Sequence, residues 1–141
     1  MPITLTVSEG LLPAEAEAEV FAALSDALLN VAGLRGNTFM TPNVVGSINV
    51  LPKQHLFAGG KAGPAAFIEL KLPGIALATD EARQAFIAQA TDIVERAAAG
   101  KLPRERIWTN VVYAADGAWG IGGKAYSNDD LIGAVQRAAV S

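Results

Sequence analysis

The sequence predicts an α+β domain: two tandem β-α-β units forming a four-stranded mixed sheet with two helices on one face, plus a short C-terminal helix. Three observations carry this prediction. Residues 3–7 and 66–72 alternate apolar and polar side chains, the period of a strand with one buried face. Each is followed by a stretch whose apolar residues recur near the helical period. Short blocks also return at a nearly constant distance, as in an internal repeat. A shift of 65 carries Ile3, Leu5 and Val7 onto Ile68, Leu70 and Leu72, and Phe21, Leu28 and Leu29 onto Phe86, Ile93 and Val94. Asn43-Val44-Val45 returns as Asn110-Val111-Val112, and Gly59-Gly60-Lys61-Ala62 as Gly122-Gly123-Lys124-Ala125.

The elements follow in order. After the first strand, Glu9-Gly10 makes a turn and Pro13 suits a first helical turn, where its missing N–H costs nothing. Glu15, Glu17 and Glu19 crowd the early turns, where the helix dipole favours acids. Val20, Leu24, Leu28 and Val31 form the apolar stripe of a helix over 13–32, which Gly33 and Gly36 end. A second strand covers 43–51, and 52–63 is a Gly-rich turn region. Pro73-Gly74 breaks the third strand. Thr79 caps a helix with Asp80 and Glu81 in its first turn and Phe86, Ile93 and Ala97 as its stripe; Gly100 closes it. Residues 107–114 are the fourth strand, and Ser127 or Asn128 caps the last helix, with Leu131, Ile132 and Val135. The first unit occupies about 2–64, the second about 65–126, and an extension 127–141. Right-handed crossovers then place both helices on one face. The other face carries Thr4, Thr6, Phe67, Glu69 and Lys71.

Composition narrows the function. The 141 residues are 51% hydrophobic, enough for a core of their own, and contain no Cys and one His, His55. A disulfide frame, a thiolate nucleophile and a His-rich metal site are excluded. The net charge of −3 has no basic cluster behind it, which argues against nucleic acid as a partner. No apolar run approaches the roughly 18 residues of a membrane span, and the opening residues read as a strand rather than a signal peptide. The expectation is a compact cytoplasmic protein. Gly120-Ile121-Gly122-Gly123-Lys124-Ala125 lacks the spacing and the hydroxyl of a phosphate loop and reads as a β-turn. His55 reads as a solvated turn residue.

Pro2 carries the chemistry. If Met1 is removed, the Pro2 nitrogen becomes a secondary amine at the start of a buried strand. An α-amino group titrates near 7.7–8.0 in water, and desolvation or a nearby cation lowers that value. A neutral amine near working pH is a competent general base. If Met1 stays, the nitrogen is an amide and the chemistry is gone. Glu69 and Lys71 share a strand face; they form a channel-facing pair, or Lys71 holds an anion beside Pro2.

Pro2 at the head of a strand and the repeated β-α-β pattern are joined by two blocks. Leu56-Phe57-Ala58-Gly59-Gly60 followed by Ala66-Phe67-Ile68 resembles the Phe-Gly-Gly turn and strand of the macrophage migration inhibitory factor group. Arg106-Ile107-Trp108-Thr109-Asn110 resembles that group's Arg-Val-Tyr-Ile-Asn strand. Val7-Ser8 and the following helix are similar to cis-3-chloroacrylic acid dehalogenase. Over about residues 2–126 the chain resembles the tautomerase superfamily, which also includes 4-oxalocrotonate tautomerase.

The resemblance implies a homotrimer with a site at each subunit boundary, no cofactor, no metal, and a small carboxylate substrate. Pro2 would be the base. Arg35, in the loop after the first helix, would bind the carboxylate, helped by Lys71. Trp108 and Phe39 would wall the site, and Asn110 would reach the neighbouring subunit's site. Departures from the pattern point away from hydrolytic relatives. Pro73 and Ala76 stand where the dehalogenase has two Arg, and Leu28 where it has a His. Asn37 stands near the Asp of a semialdehyde decarboxylase. Keto–enol tautomerisation of a small 2-oxo or enol acid is therefore the first expectation. A decarboxylase, hydratase or dehalogenase on the same proline is the second, and a non-catalytic trimeric binding protein the third.

Overall fold

The computed structural model describes residues 1–139. β1 (Pro2–Ser8) leads through a short 3-10 turn, Ala14–Ala16, into α1 (Glu17–Val31), which returns the chain to β2 (Val45–Leu51), parallel to β1. A small hairpin, β3 (Phe57–Ala58) and β4 (Lys61–Ala62), precedes β5 (Ala66–Pro73). The second unit runs from β5 through α2 (Asp80–Ala97) to β6 (Ile107–Ala114), again parallel. A second hairpin, β7 (Trp119–Ile121) and β8 (Lys124–Tyr126), leads to α3 (Asn128–Ala139). The units join where β1 and β5 pair antiparallel, giving the order β2-β1-β5-β6 and the expected mixed sheet. Among the described residues no helix is long and apolar enough to cross a membrane.

The alternation read from the sequence decides which face is buried. Ile3, Leu5, Val7, Ile68, Leu70 and Leu72 are each at most 1% exposed, packed against α1 and α2. The helices answer with Val20, Leu24 and Leu28 on one and Phe86, Ala90 and Val94 on the other. Phe86 is buried at the centre of the expected α2 stripe, and Ile93 and Ala97 pack on the core at its margin, partly buried. The helix alignment is corrected, because a step of 66 rather than 65 brings equivalent buried positions together. The second strands follow another step. Gly46 stands beside Ile3 as Thr109 stands beside Ile68, a step of 63, which the two Gly-Gly hairpins share. The blocks around Asn43 and Asn110 do not correspond, since Asn43 precedes β2 while Asn110 lies inside β6. Loops of unequal length absorb these differences.

Local chemistry sets the element ends. The Thr79 hydroxyl accepts a bond from the Ala82 N–H at 3.1 Å, capping α2 with Asp80 and Glu81 behind it. Thr79→Ala is expected to cost about 1 kcal/mol, read as a lower urea midpoint at unchanged slope. Pro13 sits just before the 3-10 turn rather than inside the first turn of α1. At α3, Ser127 and Asp130 cap reciprocally: the Ser127 hydroxyl accepts from the Asp130 N–H, and the Asp130 carboxylate from the Ser127 N–H. These bonds hold the Asp130 carboxyl below the usual carboxylate range. Both hairpins turn on Gly pairs with positive φ, 58° and 77° at Gly59-Gly60 and 59° and 85° at Gly122-Gly123. That is the geometry a tight two-residue hairpin requires. The last two residues of the extension lie outside the described residues.

Candidate active site

Register brings the site together. Pro2 opens β1 opposite Val45 of β2. On its other side Ile3 pairs with Leu70, so Lys71, one residue on, lies beside Pro2 on the face away from the helices. Val112 of β6 stands opposite Lys71. The β7–β8 hairpin borders this edge, and an open cavity of about 500 Å³ is lined by Pro2, Val45, Lys71, Val112, Tyr113 and Trp119, together with Met1 and Asn43. It is mostly apolar with one ammonium at its side, a common form for a small-molecule site.

Met1 is held in place. Its side chain is 2% exposed, its carbonyl accepts from the Val45 N–H at 3.2 Å, and its amine donates to the Asn43 carbonyl. Burial lowers the pKa of that amine from 8.0 to about 6. The start of the chain is therefore a place where a neutral amine is favoured over an ammonium. Lys71 Nζ lies 3.6 Å from Glu69 Oε1 with both side chains about half exposed, a loose pair that leaves the ammonium available to an anion. The Tyr113 hydroxyl donates to the carbonyls of Ala76 and Leu77 at 2.9 and 2.8 Å, and Arg83 bonds the Leu77 carbonyl at 3.0 Å. These contacts pin the loop after β5, where Leu77 has a φ of 46°.

The residues expected from the sequence fall into two groups. Pro2 and Lys71 meet at the cavity. The other four do not line it. Arg35 is exposed in the loop after α1, and Phe39 packs on Tyr126 with ring centroids 6.0 Å apart. Trp108 and Asn110 lie on the open face of β6, opposite Phe67 and Glu69. Trp108 is 38% exposed and contacts the Phe67 ring, centroids 5.6 Å apart, with the Arg106 guanidinium 6.0 Å above it. Asn37 is structural. Its amide donates to the Val135 carbonyl and its oxygen accepts from the N–H groups of Phe39 and Met40, tying that loop to α3. His55 is exposed in a 3-10 turn. Tyr113 and Trp119 were missed by the sequence reading; the only signal was an aromatic at each end of a short Gly-containing connection. Among the described residues no three His, Asp or Glu side chains gather in a way that could hold a metal ion.

No protein-family model and no curated protein matches the sequence. Solved structures do. Native fused 4-OT is 21% identical, with a TM-score of 0.74 over 89% of this chain and 95% of that one. A member of the cis-3-chloroacrylic acid dehalogenase family is 19% identical, with a TM-score of 0.75 over 94% and 89%. The fold is that of the tautomerase superfamily. The macrophage migration inhibitory factor of Toxoplasma gondii has the same fold at 16% identity, with a TM-score of 0.71 over 89% of this chain and all of that one. So does the protein Pt0534, solved after inactivation by 2-oxo-3-pentynoate, at 20% identity and a TM-score of 0.75 over 93% and 98%. At these identities the likeness is one of tautomerase fold, in which Pro2 heads the first inner strand of the sheet.

Proposed function

We propose that this protein is a cofactor-independent tautomerase in which loss of Met1 frees the Pro2 nitrogen to act as a general base on a small 2-oxo or enol acid. The observation that carries the reading is the juxtaposition of Pro2, at the head of β1, with Lys71 in one largely apolar cavity. The neutral amine takes the proton from the enol oxygen, and the resulting ammonium returns a proton to the adjacent carbon, so the amine is regenerated with the ketone. Lys71 attracts the carboxylate and offsets the enolate charge that builds up between the two transfers. The Lys71 cation and the apolar walls beside Pro2 favour the neutral amine over the ammonium.

The test uses the reagent that inactivates Pt0534. Its conjugated alkyne is an electrophile for a free amine. Intact-mass spectrometry is expected to show Met1 absent, and incubation with 2-oxo-3-pentynoate to add one equivalent at Pro2 with parallel loss of activity. An intact Met1, or an unlabelled Pro2, overturns the reading. Lys71→Ala is expected to raise KM about 10-fold with a smaller change in kcat, since a hydrogen bond to a charged group is worth about 1.5–3 kcal/mol.

The assembly in this reading is a homotrimer. The open face of the sheet exposes Val45, Trp108 and Val112 at 48%, 38% and 46%, a large apolar surface for a lone chain in water. Fused 4-OT of the same fold forms a symmetric trimer. Trp108 and Asn110 then serve the neighbouring subunit's site, Arg35 is a second cation for carboxylates, and Phe39 braces its loop against Tyr126. Sedimentation at micromolar concentration is expected to give the mass of three chains; a monomer there removes the shared roles of Trp108 and Asn110. The close seat of Met1 favours a second reading, a binding protein that keeps its first residue.

A further inference from the structure

Met1 lines two cavities at once. Behind the cavity at Pro2 lies another of about 290 Å³, between the loop after α1, the loop after β5 and α3. Its walls include Leu34, Met40, Leu77, Leu131 and Ile132, and its one polar side chain is Gln136. Met1 is the residue common to both with its side chain 2% exposed, so it stands as a plug between them.

We infer that loss of Met1 joins the two cavities into one continuous site whose rear chamber takes an unbranched alkyl tail. The inference rests on the removal of Met1 in the reading above and adds to it the class of substrate: a medium-chain 2-oxo monocarboxylate rather than a short dicarboxylate. Packed interiors collapse only partly when a side chain is removed, and the surrounding Leu77, Leu131 and Met40 are at most 4% exposed, held in place by their own contacts. A carboxylate at Lys71 places the adjacent carbon by the Pro2 nitrogen, and the space Met1 vacates leads from there into the rear chamber. The chamber beyond has no cation to receive a second carboxylate. Its walls offer water few polar partners and hydrocarbon many contacts.

Calorimetric titration of the mature protein with butanoate, hexanoate and octanoate tests this without requiring turnover. Affinity is expected to rise about fourfold per methylene, or about 250-fold across the series, and octanedioate to bind no better than butanoate. Ile132→Trp, from the 40% exposed outer wall of the chamber, is expected to flatten the series, and Ile132→Asp to reverse it. Affinity independent of chain length, a gain untouched by both variants, or a mature protein that keeps Met1 overturns the inference. A full chain-length gain in a protein without tautomerase activity overturns the proline-base reading alone and leaves the joined site standing.

Discussion

A chain that keeps Met1 is expected to lose about 10²–10⁴-fold in kcat/KM, the usual contribution of a positioned general base. Pro2→Leu gives such a chain, because a bulky residue at position 2 blocks removal of the initiator. The nitrogen at position 2 is then an amide with no basic lone pair, and the amine of Met1 is tied to the Asn43 carbonyl. Pro2→Ala is expected to fall between, since a primary amine survives in the same place with altered geometry and solvation. The pH–rate profile of kcat/KM with one enol acid checks both. Activity requires the neutral amine, so it falls as pH drops through the amine's pKa and the acid limb reports that group. Burial already brings the Met1 amine from 8.0 to about 6. At Pro2 the neighbouring Lys71 cation favours the neutral form, so the acid limb is expected below pH 8. Rates for both variants within a factor of two of the parent remove Pro2 as the base.

Gly46→Ala is expected to destabilise the fold by about 3 kcal/mol, the upper part of the usual range for overpacking. Gly46 has a φ of 159°, and the close approach around it is the difficulty: an added Cβ would lie 1.8 Å from the Ile3 carbonyl oxygen and 2.7 Å from Phe21 Cζ. Phe21 is a partly buried ring end that can swing away. The Ile3 carbonyl belongs to β1, whose Ile3 side chain is 0% exposed in the core, so β2 must move instead. Moving β2 also displaces Val45, which pairs with Pro2 and lines the cavity. Thermal unfolding is expected to show Tm lower by about 10 °C. Combining Gly46→Ala with Phe21→Leu should recover little of the loss. A double variant as stable as the parent would mean that the ring, not the strand oxygen, is the obstacle.

The sequence by itself determined the sheet's two faces and the helices that cover one of them. Alternation in β1 and β5 needs only adjacent residues to be read, and burial of Ile3, Leu5, Ile68 and Leu70 follows from it. The Thr79 cap and the Gly-Gly turns are equally local, each settled by a few neighbouring residues. Pro2 was legible as a candidate because its chemistry depends on its place in the chain. The tertiary structure decided the rest. Lys71 stands beside Pro2 because an antiparallel register sets Ile3 against Leu70, and a slip of one residue would have turned the ammonium toward the helices. Tyr113 and Trp119 reach the cavity because β6 runs parallel to β5 and the following hairpin folds back over its end. The two-sided position of Met1, between a front cavity and a rear chamber walled by α3, depends on contacts between segments more than a hundred residues apart, which no local pattern encodes.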